Sequence, residues 1–107
     1  MNDQFLDIVR GAARKRMLFL PHAVRQMSRL DRMITTDYVR EVITNGEIIE
    51  DYPEDLRGHS CLILGFDSIG RVIHVVCLPK EDYLAIITAY LPDPDQWHSD
   101  FKTRKLS

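Results

Sequence analysis

The sequence predicts an α+β domain in which N-terminal helices pack on a mostly antiparallel sheet of four to five strands. Three observations support this fold class. Apolar residues recur with helical spacing in the first part of the chain, β-branched apolar blocks of strand length follow, and polar turn-forming breaks separate those blocks. A chain of 107 residues is long enough for one domain with a single core.

The first residues predict a helix and then a short strand. Asn2 or Asp3 can cap a helix over residues 3–16, whose apolar side chains are spaced for one buried face. The apolar run Met17–Leu20 is short enough for an edge strand and ends at Pro21, which has no backbone donor. The N-terminal part is therefore expected to add one helix and one strand to the fold.

Two further helices are predicted before the main sheet. The first covers about Pro21–Leu30, because the fixed backbone angle of proline suits the first position of a helix. The second begins after a cap at Thr35 or Thr36 and runs to Asn45. Gly46 is the expected stop of this helix.

Four strands are predicted after the helices. Glu47–Tyr52 precedes a proline and suits an edge strand. The apolar blocks form an antiparallel meander of three strands, Cys61–Phe66, Arg71–Leu78 and Tyr83–Tyr90. Asp67–Gly70 closes the first hairpin, since glycine can take the left-handed backbone conformation that such a turn requires.

The interior of the middle block is apolar except for His74. A lone histidine in such a strand is usually a core residue with one hydrogen-bonded nitrogen. Its surroundings depend on the register of the second hairpin. If Leu78 pairs with Tyr83, His74 faces Ile87, whereas a slip of one residue puts His74 opposite Thr88 and forms a cluster of histidine, threonine and tyrosine. Both registers agree with the sequence.

Charge is distributed unevenly along a chain whose net charge is −2. The stretch from Ile8 to Leu30 has no acidic residue and is basic through Arg10, Arg14, Lys15, Arg16, Arg25 and Arg29. The stretch from Glu47 to Asp55 has no basic residue and is acidic through Glu47, Glu50, Asp51, Glu54 and Asp55. Such a surface can attract a polyanion at one end and a basic partner at the other, or it can form two solvated faces.

Apolar runs and cysteines indicate a bacterial cytoplasmic protein without a membrane role. No apolar run approaches the ~18 residues that a bilayer requires, and the N-terminus is too charged for a secretory signal. Cys61 and Cys77 lie within predicted strands and suit buried thiols. The four histidines lack the spacing of zinc ligands, so no metal site and no cofactor are expected.

Two regions carry residue types that handle phosphate. His22, Arg25 and Arg29 share one face of the predicted helix Pro21–Leu30, and Arg32 would extend that face. These arginines also suit the ordinary solvent face of an amphipathic helix.

The second region is the polar rim of the meander, with Arg57 before it and Trp97 and Arg104 after it. A tryptophan near cations can stack on an unpaired RNA base, or it can anchor the tail in the core.

Several co-linear segments resemble the domain-of-unknown-function 4258 family: Pro21-His22-Ala23, residues 45–53, Gly70–Val76, Ile87–Tyr90 and Pro92–Trp97. The resemblance implies a single RelE-like toxin domain over residues 1–107, with an N-terminal helix over 3–16 and a basic tail over 91–107. Such proteins are similar to BrnT-type and MqsR-type toxins of type II toxin-antitoxin pairs. The implied partners are RNA and an antitoxin of the MqsA zinc-finger kind.

The expected activity is that of a metal-independent endoribonuclease, which needs a proton acceptor, a proton donor and positive charge at the phosphate. His22 or His74 is assigned to proton transfer and Tyr90 to hydrogen bonding or acid catalysis. The remaining assignments concern phosphate stabilisation or RNA binding: Arg25, Arg29, Arg57, Arg71, Trp97 and Arg104. This hypothesis requires the imidazoles and guanidiniums to meet in one pocket.

A non-catalytic protein-interaction module with the same fold is the alternative, with the uneven charge docking a partner protein. A homodimer built on the Met17–Leu20 edge strand is compatible with either function.

Overall fold

Residues 3–106 are described by the computed structural model, without the side chain of Asp3. The capping side chains predicted at Asn2 and Asp3 lie outside this description. The elements in chain order are α1 (Asp3–Lys15), β1 (Met17–Phe19), α2 (Pro21–Met27), α3 (Thr36–Asn45), β2 (Glu47–Tyr52), β3 (Ser60–Phe66), β4 (Val72–Pro79) and β5 (Leu84–Tyr90). The predicted α+β class is confirmed.

The strands form one open sheet in the order β1-β5-β4-β3-β2. Strands β2 to β5 pair antiparallel, as the predicted meander requires, and β1 pairs parallel with β5 from Met17 opposite Leu84. The predicted edge strand at Met17–Leu20 therefore exists, because its backbone bonds to the last strand of the sheet. No helix within residues 3–106 has the length and apolar character needed to cross a bilayer.

All three helices pack on the same face of the sheet, which we call the helix face. Their buried residues join those of the strands in one core, with Val9 and Ala12 from α1, Ala23 and Met27 from α2, and Val39, Val42 and Ile43 from α3. α3 crosses β3 so closely that a Cβ at Gly65 would lie 3.0 Å from the Cα of Val42. A larger residue at Gly65 would push the helix away from the sheet.

The predicted start and stop of α3 are confirmed. The side chain of Thr35 accepts a hydrogen bond from the Tyr38 backbone N–H at 3.1 Å, which satisfies a free donor of the first turn. At the other end the N–H of Gly46 bonds to the Val42 carbonyl. A Cβ at Gly46 would lie 2.5 Å from two carbonyl oxygens, so only glycine fits where the chain turns into β2.

The prediction that the helix beginning at Pro21 ends at Leu30 is wrong. α2 ends at Met27, because the Ser28 hydroxyl bonds to the Val24 carbonyl at 2.7 Å and closes the last turn. The chain then folds back through a turn in which Met33 has a φ of 48°. Arg29 therefore lies outside α2, and the predicted stripe of cations does not continue along one helix.

Both predicted registers of the second hairpin are also wrong. His74 pairs with Tyr90, Val76 with Thr88 and Leu78 with Ala85. Two features shift the strands relative to the prediction: β4 extends through Pro79 to a turn over residues 80–83, and a bulge at Ile87 adds a further residue to β5. As a result, His74 and Tyr90 are direct neighbours across the two strands.

Cys61 and Cys77 are buried on the helix face, which confirms their predicted burial. They pair across β3 and β4 as free thiols with their sulfur atoms 3.8 Å apart.

The predicted turn between β3 and β4 is built on the carboxylate of Asp67. It accepts hydrogen bonds from the backbone N–H groups of Ile69 at 3.0 Å and Arg71 at 2.8 Å, and from the Arg71 Nε at 2.6 Å. Gly70 has a φ of 86°, the left-handed conformation that the turn requires. Burial raises the pKa of Asp67, but the bonds from Arg71 and Ile69 together have a larger, opposite effect. The pKa of Asp67 therefore lies below the ordinary value of 3.8.

Asp67→Asn is expected to lower the free energy of unfolding by about 1–3 kcal/mol, because the amide cannot accept all three bonds. The pKa of Asp67 is lower in the folded protein than in the unfolded chain, where it has its ordinary value of 3.8. The stabilisation by the carboxylate is therefore complete above pH 3.8 and is lost as the pH falls through the pKa of Asp67 in the folded protein. Urea unfolding at neutral pH and at successively lower pH measures the difference. Asp31→Asn, at an exposed site, is the control, and equal effects of both changes would contradict the role of Asp67.

Candidate functional site

The face of the sheet opposite the helices, called here the open face, carries the candidate site. Side chains alternate along a strand, and Ile73 and Val75 belong to the core on the helix face. His74 therefore points to the open face, together with its cross-strand neighbour Tyr90. The C-terminal segment, residues 91–106, folds over this face and brings Trp97 against the His74 ring.

His74 is fully buried and both ring nitrogens have partners. Nε2 lies 2.8 Å from the backbone oxygen of Phe101, and Nδ1 lies 3.3 Å from the hydroxyl of Tyr90. Because a carbonyl oxygen only accepts, Nε2 carries the proton and donates it to Phe101. In the neutral ring Nδ1 is then an acceptor, so the Tyr90 hydroxyl donates to it. We call this chain of bonds the Tyr90–His74–Phe101 relay.

Burial keeps both side chains of the relay neutral. It lowers the pKa of His74 below its ordinary 6.5, and the hydrogen bond to Phe101 offsets only part of that effect. Burial also raises the pKa of Tyr90. At neutral pH the relay thus consists of a phenol and an unprotonated imidazole acceptor, the protonation states from which a proton can pass from Tyr90 to His74.

Trp97 joins the C-terminal segment to the sheet. Its side chain is 2% exposed, its ring meets the His74 ring edge-on with centroids 4.6 Å apart, and the Arg104 guanidinium lies 4.6 Å from its ring centroid. Trp97 and Arg104 face each other across a short antiparallel bridge, and Phe101 turns the chain between them with a φ of 55°. The hypothesis that Trp97 anchors the tail agrees with this geometry.

Two acidic residues of β2 hold the same segment. Arg104 donates two hydrogen bonds to the carboxylate of Glu50, at 2.7 and 3.0 Å, and Lys102 forms an ion pair with Glu47 at 2.8 Å. Tyr52 also donates to Glu50. The hydrogen bond from Arg104 lowers the pKa of Glu50, while burial and the bond to Glu50 raise the pKa of Tyr52 to about 12.

Glu50, Tyr52 and the Phe101 carbonyl were not among the site residues predicted from the sequence. Glu50 and Tyr52 were detectable in principle, because residues two apart in a strand share a face. Glu50 was counted instead with an acidic stretch that could attract a basic partner or form a solvated face, and Tyr52 was named only as the end of an edge strand. The Phe101 carbonyl is a backbone group placed by a tertiary contact, and no residue pattern marks it.

Arg71 has a structural role at the turn before β4. Its Nε bonds to Asp67 and its Nη1 to the Arg32 carbonyl, so the guanidinium ties the β3–β4 turn to the loop after α2. Arg71 also lines a groove of about 300 Å³ with Val72, Leu91, Pro92 and Phe101. The Phe101 residue whose carbonyl holds His74 is thus also part of the wall of an open groove.

The other predicted site residues do not join this cluster, so the expected convergence on one pocket is wrong for them. His22 and Arg25 are exposed on α2, which packs on the helix face through Ala23 and Met27. The sheet therefore separates His22 from His74.

Arg29 and Arg57 bond to groups outside the relay. Arg29 pairs with Asp31, and Arg57 pairs with Asp55. The backbone oxygen of Arg57 accepts a bond from Lys80, which lies beyond the end of β4 remote from Arg71.

The sequence was also compared with known families and proteins. The model of one family, "Domain of unknown function (DUF4258)", matches residues 19–91, which is more than half of the chain. The chain belongs to the DUF4258 family. No curated protein and no solved structure matches it. In this DUF4258 protein, His74 and Tyr90 lie within the matched range, whereas α1 and the residues Trp97, Phe101 and Arg104 lie outside it.

Proposed function

We propose that this DUF4258 protein is a metal-independent endoribonuclease that acts as the toxin of a type II toxin-antitoxin pair. The Tyr90–His74–Phe101 relay is the observation that carries the proposal. A phenol that retains exposed surface donates to a neutral imidazole, whose other nitrogen is fixed by a carbonyl. The arrangement is similar to a catalytic triad, in which a buried acceptor orients a histidine and the histidine accepts the proton of the reacting hydroxyl.

In the proposed reaction the ribose 2′-hydroxyl attacks its own 3′-phosphate. Tyr90 accepts the 2′-hydroxyl proton as its own proton passes to Nδ1 of His74, and solvent protonates the leaving 5′-oxygen. The negative charge of Glu50 favours the imidazolium that forms and raises the pKa of His74, although burial, with the larger effect, and the charge of Arg104 both lower it. Burial thus sets the resting state of the ring, and Glu50 supports its charged state.

Positive charge near Tyr90 supports the binding of a phosphodiester. Burial has the largest effect on the pKa of Tyr90 and raises it, as does the charge of Glu50, whereas the charges of Arg104 and Arg32 lower it. Arg71 contributes a third guanidinium at the adjoining groove. Arginine forks match the geometry of phosphate oxygens. We assign Arg32, Arg71 and Arg104 to substrate binding, with Trp97 supporting Arg104.

Incubation of the purified protein with a labelled single-stranded RNA and a DNA of the same sequence tests the proposal. We expect cleavage of the RNA alone, with fragments ending in a 2′,3′-cyclic phosphate, because the attacking hydroxyl is absent from DNA. Cleavage should persist in excess chelator. Equal cleavage of both strands, or cleavage abolished by the chelator, would refute this mechanism.

Two observations favour a second function: His74 is fully buried, and Arg71 and Arg104 already have carboxylate partners. The same network would then stabilise a protein-interaction module. Expression in bacteria discriminates between the two. A toxin arrests growth, the product of a flanking gene relieves the arrest, and His74→Ala removes it while the protein stays folded.

We further assign the protein to the cytoplasm, where RNA is present and the free thiols of Cys61 and Cys77 remain reduced. The proposed partner is a zinc-finger antitoxin of the MqsA kind. Self-association through β1, an edge of the sheet, would give a homodimer.

A further inference from the structure

A groove of about 210 Å³ lies between α1 and α3, on the side of the molecule opposite the relay. We call it the arginine groove; its walls are Arg10, Ala13, Arg14, Arg40, Ile43 and Thr44. Two of its arginines belong to α1, which lies outside the range matched by the family. One wall of the groove therefore lies outside the part of the chain that matches the family.

The three arginines of the groove differ in what they contact. Arg10 donates from Nε to the Ile43 carbonyl at 2.9 Å and from Nη2 to the Gly46 carbonyl at 3.1 Å, so it binds the C-terminal end of α3 and joins the two helices. Arg14 and Arg40 are exposed, and no carboxylate oxygen of the described side chains lies within 4.0 Å of either guanidinium. Their charges are available to a ligand.

The groove combines these charges with an apolar floor. Ala13 and Ile43 contribute carbon surface between the arginines, and the hydroxyl of Thr44 already donates to the Arg40 carbonyl. A ligand that fits must bring an apolar group for the floor and acidic groups for the rim. An amphipathic helix has this combination, with an apolar side chain flanked by carboxylates one turn apart.

Nearby acidic residues favour a peptide over a nucleic acid. Asp37 and Glu41 line an adjoining cavity that shares Arg40 and Thr44 with the arginine groove. A phosphodiester chain leaving the groove in that direction would meet their negative charges, since it carries a charge on every nucleotide. A peptide carries its carboxylates at separate positions and can avoid them.

We propose that the arginine groove is the docking site for an acidic amphipathic helix of a partner protein. One apolar side chain of that helix rests on Ala13 and Ile43, and its flanking carboxylates pair with Arg14 and Arg40. The groove lies on the helix face and the relay on the open face, so a partner can bind while the relay remains accessible. The inference holds whether or not the ribonuclease proposal is correct.

A fluorescein-labelled synthetic peptide tests the inference by fluorescence anisotropy with the full chain. The peptide is a helix with leucines on one face and glutamates beside them, and a second peptide has glutamine at every glutamate. Arg14→Glu/Arg40→Glu reverses two of the three arginine charges of the groove and leaves Arg10 to hold the helices together. Arg25→Glu/Arg29→Glu is the matched control, with the same charge change elsewhere in the basic half of the chain.

We expect the glutamate peptide to bind the wild type and to bind the groove variant at least about tenfold more weakly, since two charge pairs become repulsive. The control variant should stay within about twofold of wild type, and the glutamine peptide should bind poorly. Three results would overturn the inference: no binding of the glutamate peptide, equal losses in both variants, or a labelled RNA whose affinity falls in the groove variant alone. RNA cleavage by the groove variant, measured in parallel, reports on the ribonuclease proposal separately.

Discussion

Replacing Tyr90 with phenylalanine is expected to lower the rate of RNA cleavage by about 10²- to 10⁴-fold, the usual contribution of a group that transfers a proton. In the proposed reaction the hydroxyl is the group of the relay that contacts the substrate. Without it, the proton of the ribose 2′-hydroxyl cannot be passed to Nδ1 of His74. The phenylalanine ring keeps the edge-on contact with His74, whose centroid lies 5.3 Å away. The fold should persist, although the buried Nδ1 of His74 loses its donor, which costs about 1–3 kcal/mol of the free energy of unfolding.

Cleavage rates under single-turnover conditions measure this effect, and thermal unfolding shows whether the fold is intact. Tyr83→Phe, just before the other end of β5, is the matched control and should cleave at the wild-type rate. A folded Tyr90→Phe protein with wild-type activity would remove Tyr90 from the reaction.

The pH dependence of the wild type gives a further check on the relay. Protonation removes the acceptor nitrogen of His74, so activity should fall as the pH drops through the pKa of this ring. Because burial lowers that pKa, the fall should lie below the ordinary value of 6.5.

Replacing Trp97 with alanine is expected to lower the free energy of unfolding by about 3–5 kcal/mol, as for other buried aromatic side chains. The change opens a cavity against the His74 ring and removes the surface on which Arg104 rests. The segment would keep the His74 bond to the Phe101 carbonyl and the ion pairs of Arg104 with Glu50 and of Lys102 with Glu47. Such partly exposed ion pairs contribute little by themselves.

Urea unfolding measures this loss, and His98→Ala is the control because His98 is the exposed neighbour of Trp97 in the same segment. The control should change stability by less than about 0.5 kcal/mol. If Trp97→Ala also changes stability by so little, the segment does not pack on the open face in solution.

Local sequence signals predicted the elements well where the decisive contacts are local. The cap at Thr35 and the stop at Gly46 each act within a few residues, and both were predicted. The end of α2 failed because the Ser28 hydroxyl competes for the helix backbone, which helical spacing does not register. The register of the second hairpin failed because a bulge at Ile87 has no marker in the apolar alternation.

The candidate site was predictable only in part for a related reason. His74 was recognised because it interrupts an apolar strand, and Tyr90 because one of the two possible hairpin registers put it in a cluster with His74. His22 was grouped with them by residue type, although the packing of α2 puts it on the other side of the sheet. Which face a helix side chain occupies relative to a distant strand is a tertiary property.

The C-terminal segment has a consequence for how this family is compared. The matched range stops at residue 91, yet the group that decides which nitrogen of the histidine holds hydrogen comes from residue 101. In a relative whose chain ends where the match ends, the same histidine would face water and could exchange between its two tautomers. A histidine at the position of His74 therefore does not by itself indicate the same chemistry in another member of the family. The member must also have a segment equivalent to residues 91–106.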